Sequence, residues 1–138
     1  MKITFVLPGV FIAGGVRAVF ECSNRLIERG HEVNIVYPIF PLEIHHNKHF
    51  KRIFTQFIVF LWRLLKSFFI DGKVKWFPLK AKLIRIPLLH SQIVNYFEKY
   101  IPDADLIVAT TWESSIAVNK LSLRKGKKSY FIQHYEIT

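Results

Sequence analysis

The chain has 138 residues, of which 51% are hydrophobic, and it carries 20 Lys and Arg against 10 Asp and Glu, a formal net charge of +10. The length fits one domain, and the hydrophobic fraction excludes a disordered chain. The single cysteine, Cys22, excludes an internal disulfide framework. Residues 42–100 hold 11 of the basic and three of the acidic residues, a balance of +8. This segment either meets an anionic partner, such as a membrane surface or nucleic acid, or forms a solubilising face.

The first 38 residues predict a βαβ unit. Lys2 to Leu7 is an apolar run with β-branched residues, typical of a strand buried on both faces. Pro8 to Gly15 is predicted to be a loop, and an amphipathic helix is predicted from Val16 to a cap at Gly30. Glu32 to Tyr37 is predicted to be the next strand, stopped by Pro38. A strand, helix and strand in this order indicate a parallel sheet.

The middle of the chain, about 42–82, reads as a basic amphipathic insertion. His49 to Phe69 has aromatic and aliphatic residues at helical spacing, interleaved with basic ones. Such a helix either lies in a membrane interface or packs on the sheet with its basic side chains at the rim. The longest uncharged run, Ile53 to Trp62, is too short to span a bilayer. The candidate membrane-facing residues are Lys51, Arg52, Arg63 and Lys66.

Predicted strands and helices alternate again in the second half of the chain. The whole pattern therefore predicts a doubly wound, mostly parallel α/β domain. Thr110 and Glu113 have the spacing of a capping box. In chain order, the residues predict a strand at Leu83–Pro87, a helix at His90–Tyr100, a strand at Asp105–Ala109, a helix ending near Leu121 and a strand at Ser129–Gln133.

The glycine pair Gly14-Gly15 lies between the first strand and the first helix, where free backbone amides at a helix N-terminus can bind an anion. The glycine spacing does not fit a dinucleotide fingerprint or a P-loop. The alternative interpretation is a tight turn that needs glycine for its conformation alone.

Several segments together resemble family 4 glycosyltransferases of the two-domain GT-B architecture. "FVLPGVFIAGGVRAVFECSNRLIERGHEVNIVYP" is similar to the opening of that family. Trp76-Phe77, "PDADLIVATTWESSIAVNKL" and "KSYFIQHYE" are similar to the branch that builds cell-surface polysaccharides. The resemblance covers residues 1–38 and 101–136 well, and 70–90 loosely. It implies a Rossmann-like N-terminal, acceptor-side domain over 1–138, incomplete without a C-terminal donor domain.

The resemblance also implies site residues and partners. Gly14 and Gly15 would approach the donor diphosphate, Arg17 is a weaker candidate for an anionic group, and His134 would lie beside the reacting sugar as the catalytic candidate. The implied reaction is retaining sugar transfer from a nucleotide-diphosphate donor to a saccharide or lipid-linked acceptor. It needs no cofactor and no metal, and it takes place at the inner face of the cell membrane. On this interpretation, the 138 residues alone are expected to be inactive.

Two other functions remain open at this point. One is a basic module that binds nucleic acid, although no recognition helix, aromatic platform or zinc-finger spacing supports it. The other is a non-catalytic fragment that binds a membrane or a partner. Of His45, His46 and His49, the first and last are four residues apart and could share a helix face for a metal, but surface histidines are the favoured interpretation.

Overall fold

A five-stranded sheet with every strand parallel organises the residues that the computed structural model describes, which are 1–40, 74–89 and 93–133. The strand order is β3-β2-β1-β4-β5. The strands are β1 (Lys2–Val6), β2 (Glu32–Phe40), β3 (Lys82–Leu88), β4 (Leu106–Ala109) and β5 (Lys127–Tyr130). The predicted α/β sheet is confirmed, and within the described residues it is parallel throughout.

Helices cover both faces of this sheet. They are α1 (Gly14–Glu28), α2 (Val94–Phe97) and α3 (Trp112–Asn119), with short 3-10 helices at Glu98–Tyr100 and Leu123–Lys125. Alternate residues of β1 point to opposite faces. Ile3 and Phe5 pack with α1, whereas Val6 belongs to the core that includes Ala117 and Val118 of α3. The doubly wound arrangement is therefore confirmed.

Residues 74–81 lie along α1 and lead into β3. The Phe20 ring of α1 stacks on Trp76 at 5.3 Å between centroids. The Asn24 amide donates to the Pro78 carbonyl at 2.9 Å and accepts from the Lys80 amide at 2.8 Å. Lys80 also pairs with Glu28 at 2.7 Å, and this contact lowers the Glu28 pKa. An aromatic stack and a side-chain clamp thus fix this segment to the helix.

A second set of polar contacts ties together the starts of β1, β4 and β5. The Lys2 amide donates to the Asp105 carboxylate at 2.6 Å, and the Lys127 amide donates to the Asp105 carbonyl at 3.0 Å. Lys125 is buried, and its ammonium donates to the Ile101 carbonyl at 2.6 Å and to Asp103 at 2.7 Å. These bonds fix the place from which β5 starts.

The sequence predicted that the second strand stops at Pro38, but the strand continues past it. β2 continues to Phe40 and pairs with β3 as far as Leu88. The last hydrogen bond between β2 and β1 is from the Leu7 amide to the Val36 carbonyl. Alternate residues of a strand direct their backbone groups to the same neighbour, so Pro38, two residues after Val36, lacks an amide hydrogen on the side of β1. Because β1 has already ended there, the proline breaks no hydrogen bond.

The boundaries of the two longer helices also differ from the prediction. α1 begins at Gly14 after the N-cap residue Ala13, so both glycines are in its first turn rather than in a loop. The N-cap of α3 is Thr111, and its capping-box partner is Ser114, one residue later than the predicted Thr110 and Glu113 pair. The Thr110 hydroxyl instead donates to the Val6 carbonyl at 2.9 Å, which joins it to the sheet.

Three other predicted elements have different lengths. β3 extends one residue further at each end than the predicted Leu83–Pro87, and β5 begins and ends earlier than Ser129–Gln133. In the predicted helix at His90–Tyr100, the described residues form α2 and a 3-10 turn.

Part of the predicted insertion at 42–82 lies outside the described residues, including the predicted helix at His49–Phe69. The candidate membrane-facing residues Lys51, Arg52, Arg63 and Lys66 lie outside them too, as do His45, His46 and His49. Among the residues that are described, no helix is long and apolar enough to cross a membrane.

Candidate functional site

The strand order changes direction between β1 and β4. From β1 the chain passes through α1 to β2 on one side, whereas β4 leads through α3 to β5 on the other. The two connections therefore diverge above the carboxyl ends of β1 and β4, at Leu7–Ala13 and at Thr110–Thr111. Open α/β sheets bind their ligands in the crevice formed at such a point.

The N-terminus of α1 opens at this crevice. Ala13 has extended backbone angles and no side-chain oxygen to cap the helix, and the first turn contains no acidic residue. The Arg17 amide donates to the Ala13 carbonyl at 3.0 Å. The preceding amides, those of Gly14, Gly15 and Val16, come before any intrahelical bond can form. This end of the 15-residue helix thus presents three amides and the positive end of the helix dipole.

The two glycines of the first turn have different surroundings. Among the described glycines, only Gly30 and Gly126 have positive φ, so neither Gly14 nor Gly15 is needed for backbone conformation. A β-carbon on Gly14 would meet nothing within 4 Å, whereas one on Gly15 would collide with Gln133 Oε1. Glycine at position 15 therefore provides space, and the tight-turn interpretation is wrong.

Arg17 is on the second turn of α1 and is exposed. Its Nε donates to Glu21 at 2.9 Å, an i,i+4 pair along the helix surface. Since Glu21 lies one turn further from the N-terminus, this pairing directs the guanidinium away from the two glycines. Arg17 remains a candidate only if an anion displaces Glu21 from it.

The N-terminus of α3 lies on the opposite side of the crevice and is already capped. The Ser114 amide donates to the Thr111 hydroxyl at 3.3 Å, and the Ser114 hydroxyl accepts from the amides of Thr110 and Thr111. The N-cap side chain therefore already satisfies the Ser114 amide in the first turn of this helix. Of the two helix termini, that of α1 is the more available.

The chain leaving β5 crosses toward α1. The Phe131 amide donates to the Ala109 carbonyl at 2.8 Å, and the Phe131 ring packs into the core on the α1 side. Two residues later, the Gln133 side chain lies against Gly15. His134, the catalytic candidate, is the next residue and lies outside the described residues.

Sequence reasoning missed Gln133 and four exposed apolar side chains at this edge. The only signal for Gln133 was its place beside His134 in "FIQHYE". Phe11 and Ile12 precede α1, Trp112 begins α3, and Ile132 follows β5; their exposed fractions are 52%, 81%, 51% and 67%. Large apolar side chains on three neighbouring connections give the crevice an apolar rim.

One ionisable group near the end of β2 has a shifted pKa. Burial raises the pKa of the Tyr37 hydroxyl, although the positive charge of Arg85 acts in the opposite direction. Tyr37 therefore stays neutral at physiological pH. Among the described residues, no three His, Cys, Asp or Glu side chains are grouped as a metal site requires.

Comparisons with protein-family models, with curated proteins and with solved structures found no match to this chain.

Proposed function

We propose that this domain is the N-terminal, acceptor-side part of a family 4 glycosyltransferase. The enzyme would transfer a sugar from a nucleotide-diphosphate donor to a saccharide or lipid-linked acceptor in cell-surface polysaccharide synthesis, with retention of configuration. The observation that carries the proposal is the uncapped N-terminus of α1, with Gly14 and Gly15 in its first turn, beside the crevice between β1 and β4. This is where a parallel α/β sheet binds a phosphate-bearing ligand.

The electrostatics of this edge support an anionic group at α1. The partial positive charge at the helix N-terminus is not offset by an acid in the first turn or by an N-cap oxygen from Ala13. A diphosphate would accept hydrogen bonds from the amides of Gly14, Gly15 and Val16. A single helix terminus contributes about 1–2 kcal/mol at best, so the nucleotide itself must be bound by other groups. The second domain of the GT-B architecture would supply them across the apolar rim.

His134 is the proposed catalytic residue because of the family resemblance, and the described residue before it, Gln133, lies against Gly15. A histidine at this edge can hydrogen-bond a reacting hydroxyl or a developing charge. The role comes from the family resemblance. It places His134 beside the sugar and acceptor, with Gly14 and Gly15 at the diphosphate.

The test is a transfer assay on this domain joined to a donor-binding domain, with labelled nucleotide sugars and a lipid-linked saccharide extract as acceptor. We expect Gly15→Val to abolish most donor-dependent transfer, and Gly14→Ala, which keeps its amide and whose β-carbon meets no neighbour, to lose less. We expect His134→Ala to lower kcat about 100-fold or more with a smaller effect on donor binding. Wild-type turnover in both Gly15→Val and His134→Ala would refute the proposed site. Absence of transfer with every nucleotide sugar would refute the function.

A further inference from the structure

The Gln133 side chain contacts Gly15, more than one hundred residues earlier in the chain. Neither the family resemblance nor the capping of α1 accounts for this contact. Gln133 Oε1 occupies the place where the β-carbon of residue 15 would stand, and Gln133 Nε2 is 3.9 Å from the same place. The oxygen of the carboxamide therefore faces the first turn of α1, and the nitrogen is further from it.

This orientation agrees with the charge at both partners. A carboxamide oxygen is partially negative, and the first turn of α1 is the positive end of the helix dipole. An N-cap residue normally places an oxygen there, but Ala13 has none. Gln133 brings a negative atom to the same end of the helix from the far side of β4.

The described residues that follow β5 are Phe131, Ile132 and Gln133, and they bear on how this contact positions the chain. Phe131 is fixed by the hydrogen bond from its backbone amide to the Ala109 carbonyl and by its ring in the α1-side core, but Ile132 and Gln133 are exposed. The contact with Gly15 is thus the last described attachment of this segment to the domain. Any side chain at position 15 would remove it.

We propose that Gln133 is a positioning residue, which holds the chain beyond β5 against the N-terminus of α1, and that residue 15 is glycine in order to admit it. The contact itself does not depend on the proposed function; only its effect on sugar transfer rests on that function. In transfer, the contact keeps the Gln133 side chain at the end of α1 where the diphosphate would bind.

The first test compares the two glycines. Alanine is favoured over glycine in a helix, so Gly14→Ala is expected to raise the Tm by a few degrees. Gly15→Ala is expected to raise it less, because the new β-carbon displaces Gln133, and to shift the NMR signals of the Gln133 side-chain amide. In a Gln133→Ala background, the two alanine substitutions should raise the Tm equally. A difference that persists in that background would overturn the inference.

The second test changes the charge at position 133. Gln133→Glu places a carboxylate beside the positive helix end and is expected to raise the Tm by about 1–5 °C at pH 7. The helix end lowers the pKa of this carboxylate, so the gain is complete above the ordinary pKa of about 4.3 and is lost as the pH falls through the lower folded value. Gln133→Lys is the matched control and should lower the Tm at pH 7. Equal melting of the Glu and Lys variants would overturn the inference.

The two proposals fail in different ways. In the transfer assay, Gln133→Glu should raise the donor KM by at least about tenfold although the variant is more stable, since its carboxylate repels the diphosphate. A merely structural role for Gln133 would not give higher stability together with weaker donor use. Melting and NMR need no substrate, so the contact stands or falls without the transferase activity.

Discussion

The buried lysine at the start of β5 allows a quantitative test of how this edge of the domain is fixed. The Lys125 ammonium donates to the Ile101 carbonyl at 2.6 Å and to Asp103 at 2.7 Å, and its side chain is 9% exposed. Lys125→Met keeps most of the aliphatic stem and removes both bonds. A hydrogen bond from a charged donor contributes about 1.5–3 kcal/mol. We therefore expect the Tm to fall by roughly 5–10 °C in differential scanning calorimetry.

Asp103→Asn removes the negative charge that pairs with Lys125 and keeps the bond from Lys125 to the Ile101 carbonyl. It therefore measures the two contacts of Lys125 separately. Asp103 is exposed, so its ion pair with Lys125 is screened by water and this variant should melt only slightly below the wild type. Lys125 lowers the Asp103 pKa, so the contribution of the pair is present above the ordinary Asp pKa of about 3.9 and is lost as the pH falls through the lower folded value. An NMR titration should find the Asp103 midpoint higher in Lys125→Met. Equal losses of Tm in both variants would refute the assignment of stability to the bond with Ile101.

Two further predictions concern backbone conformation and the basic segment. Gly126 has a φ of +116°, and a β-carbon there would collide with the Ala104 carbonyl. Gly126→Ala should therefore lower the Tm more than Gly30→Ala, where φ is +83° and no atom lies within 4 Å of the new β-carbon. Equal losses of Tm would show that the collision is relieved. The chain should co-sediment with anionic vesicles more than with neutral ones, and salt should weaken this binding because it screens charge beyond about 10 Å at 0.1 M. Equal binding to both vesicle types would contradict the electrostatic part. The largest loss is expected when Gln replaces the basic residues Lys51, Arg52, Arg63 and Lys66.

The parallel sheet was predictable because its central strands are buried on both faces. β1 and β4 are short runs rich in apolar residues, and α1 has one apolar stripe; their alternation along the chain favours a parallel sheet. β5 was placed too late in the chain because it lies at an edge of the described sheet. Its sequence, KKSY, has mostly exposed side chains and therefore no apolar pattern. Its start is set by Gly126 and Lys125, whose partners are more than twenty residues away in the sequence.

The candidate site was predictable only where it follows from chain order. Gly14 and Gly15 must follow β1, so their place at the edge of the sheet could be derived from the βαβ unit. The different surroundings of the two glycines could not be predicted, because they depend on Gln133, which reaches α1 from the far side of β4. The same limit applies to Pro38. Its effect depends on where β1 ends, which the local sequence does not contain.

The early end of β1 leaves the sheet with a step in its outline. β2 pairs with β1 only as far as Val36 and the Leu7 amide, but it runs beside β3 to Phe40. The four residues of β2 beyond β1, at about 3.3 Å each, give β2 an unpaired side roughly 13 Å long. A strand from another molecule could pair with this side of β2, except that Pro38 has no amide hydrogen to offer. Pro38 therefore makes the part of β2 beyond β1 a poor partner for a further strand, next to the connection that leads to Gly14.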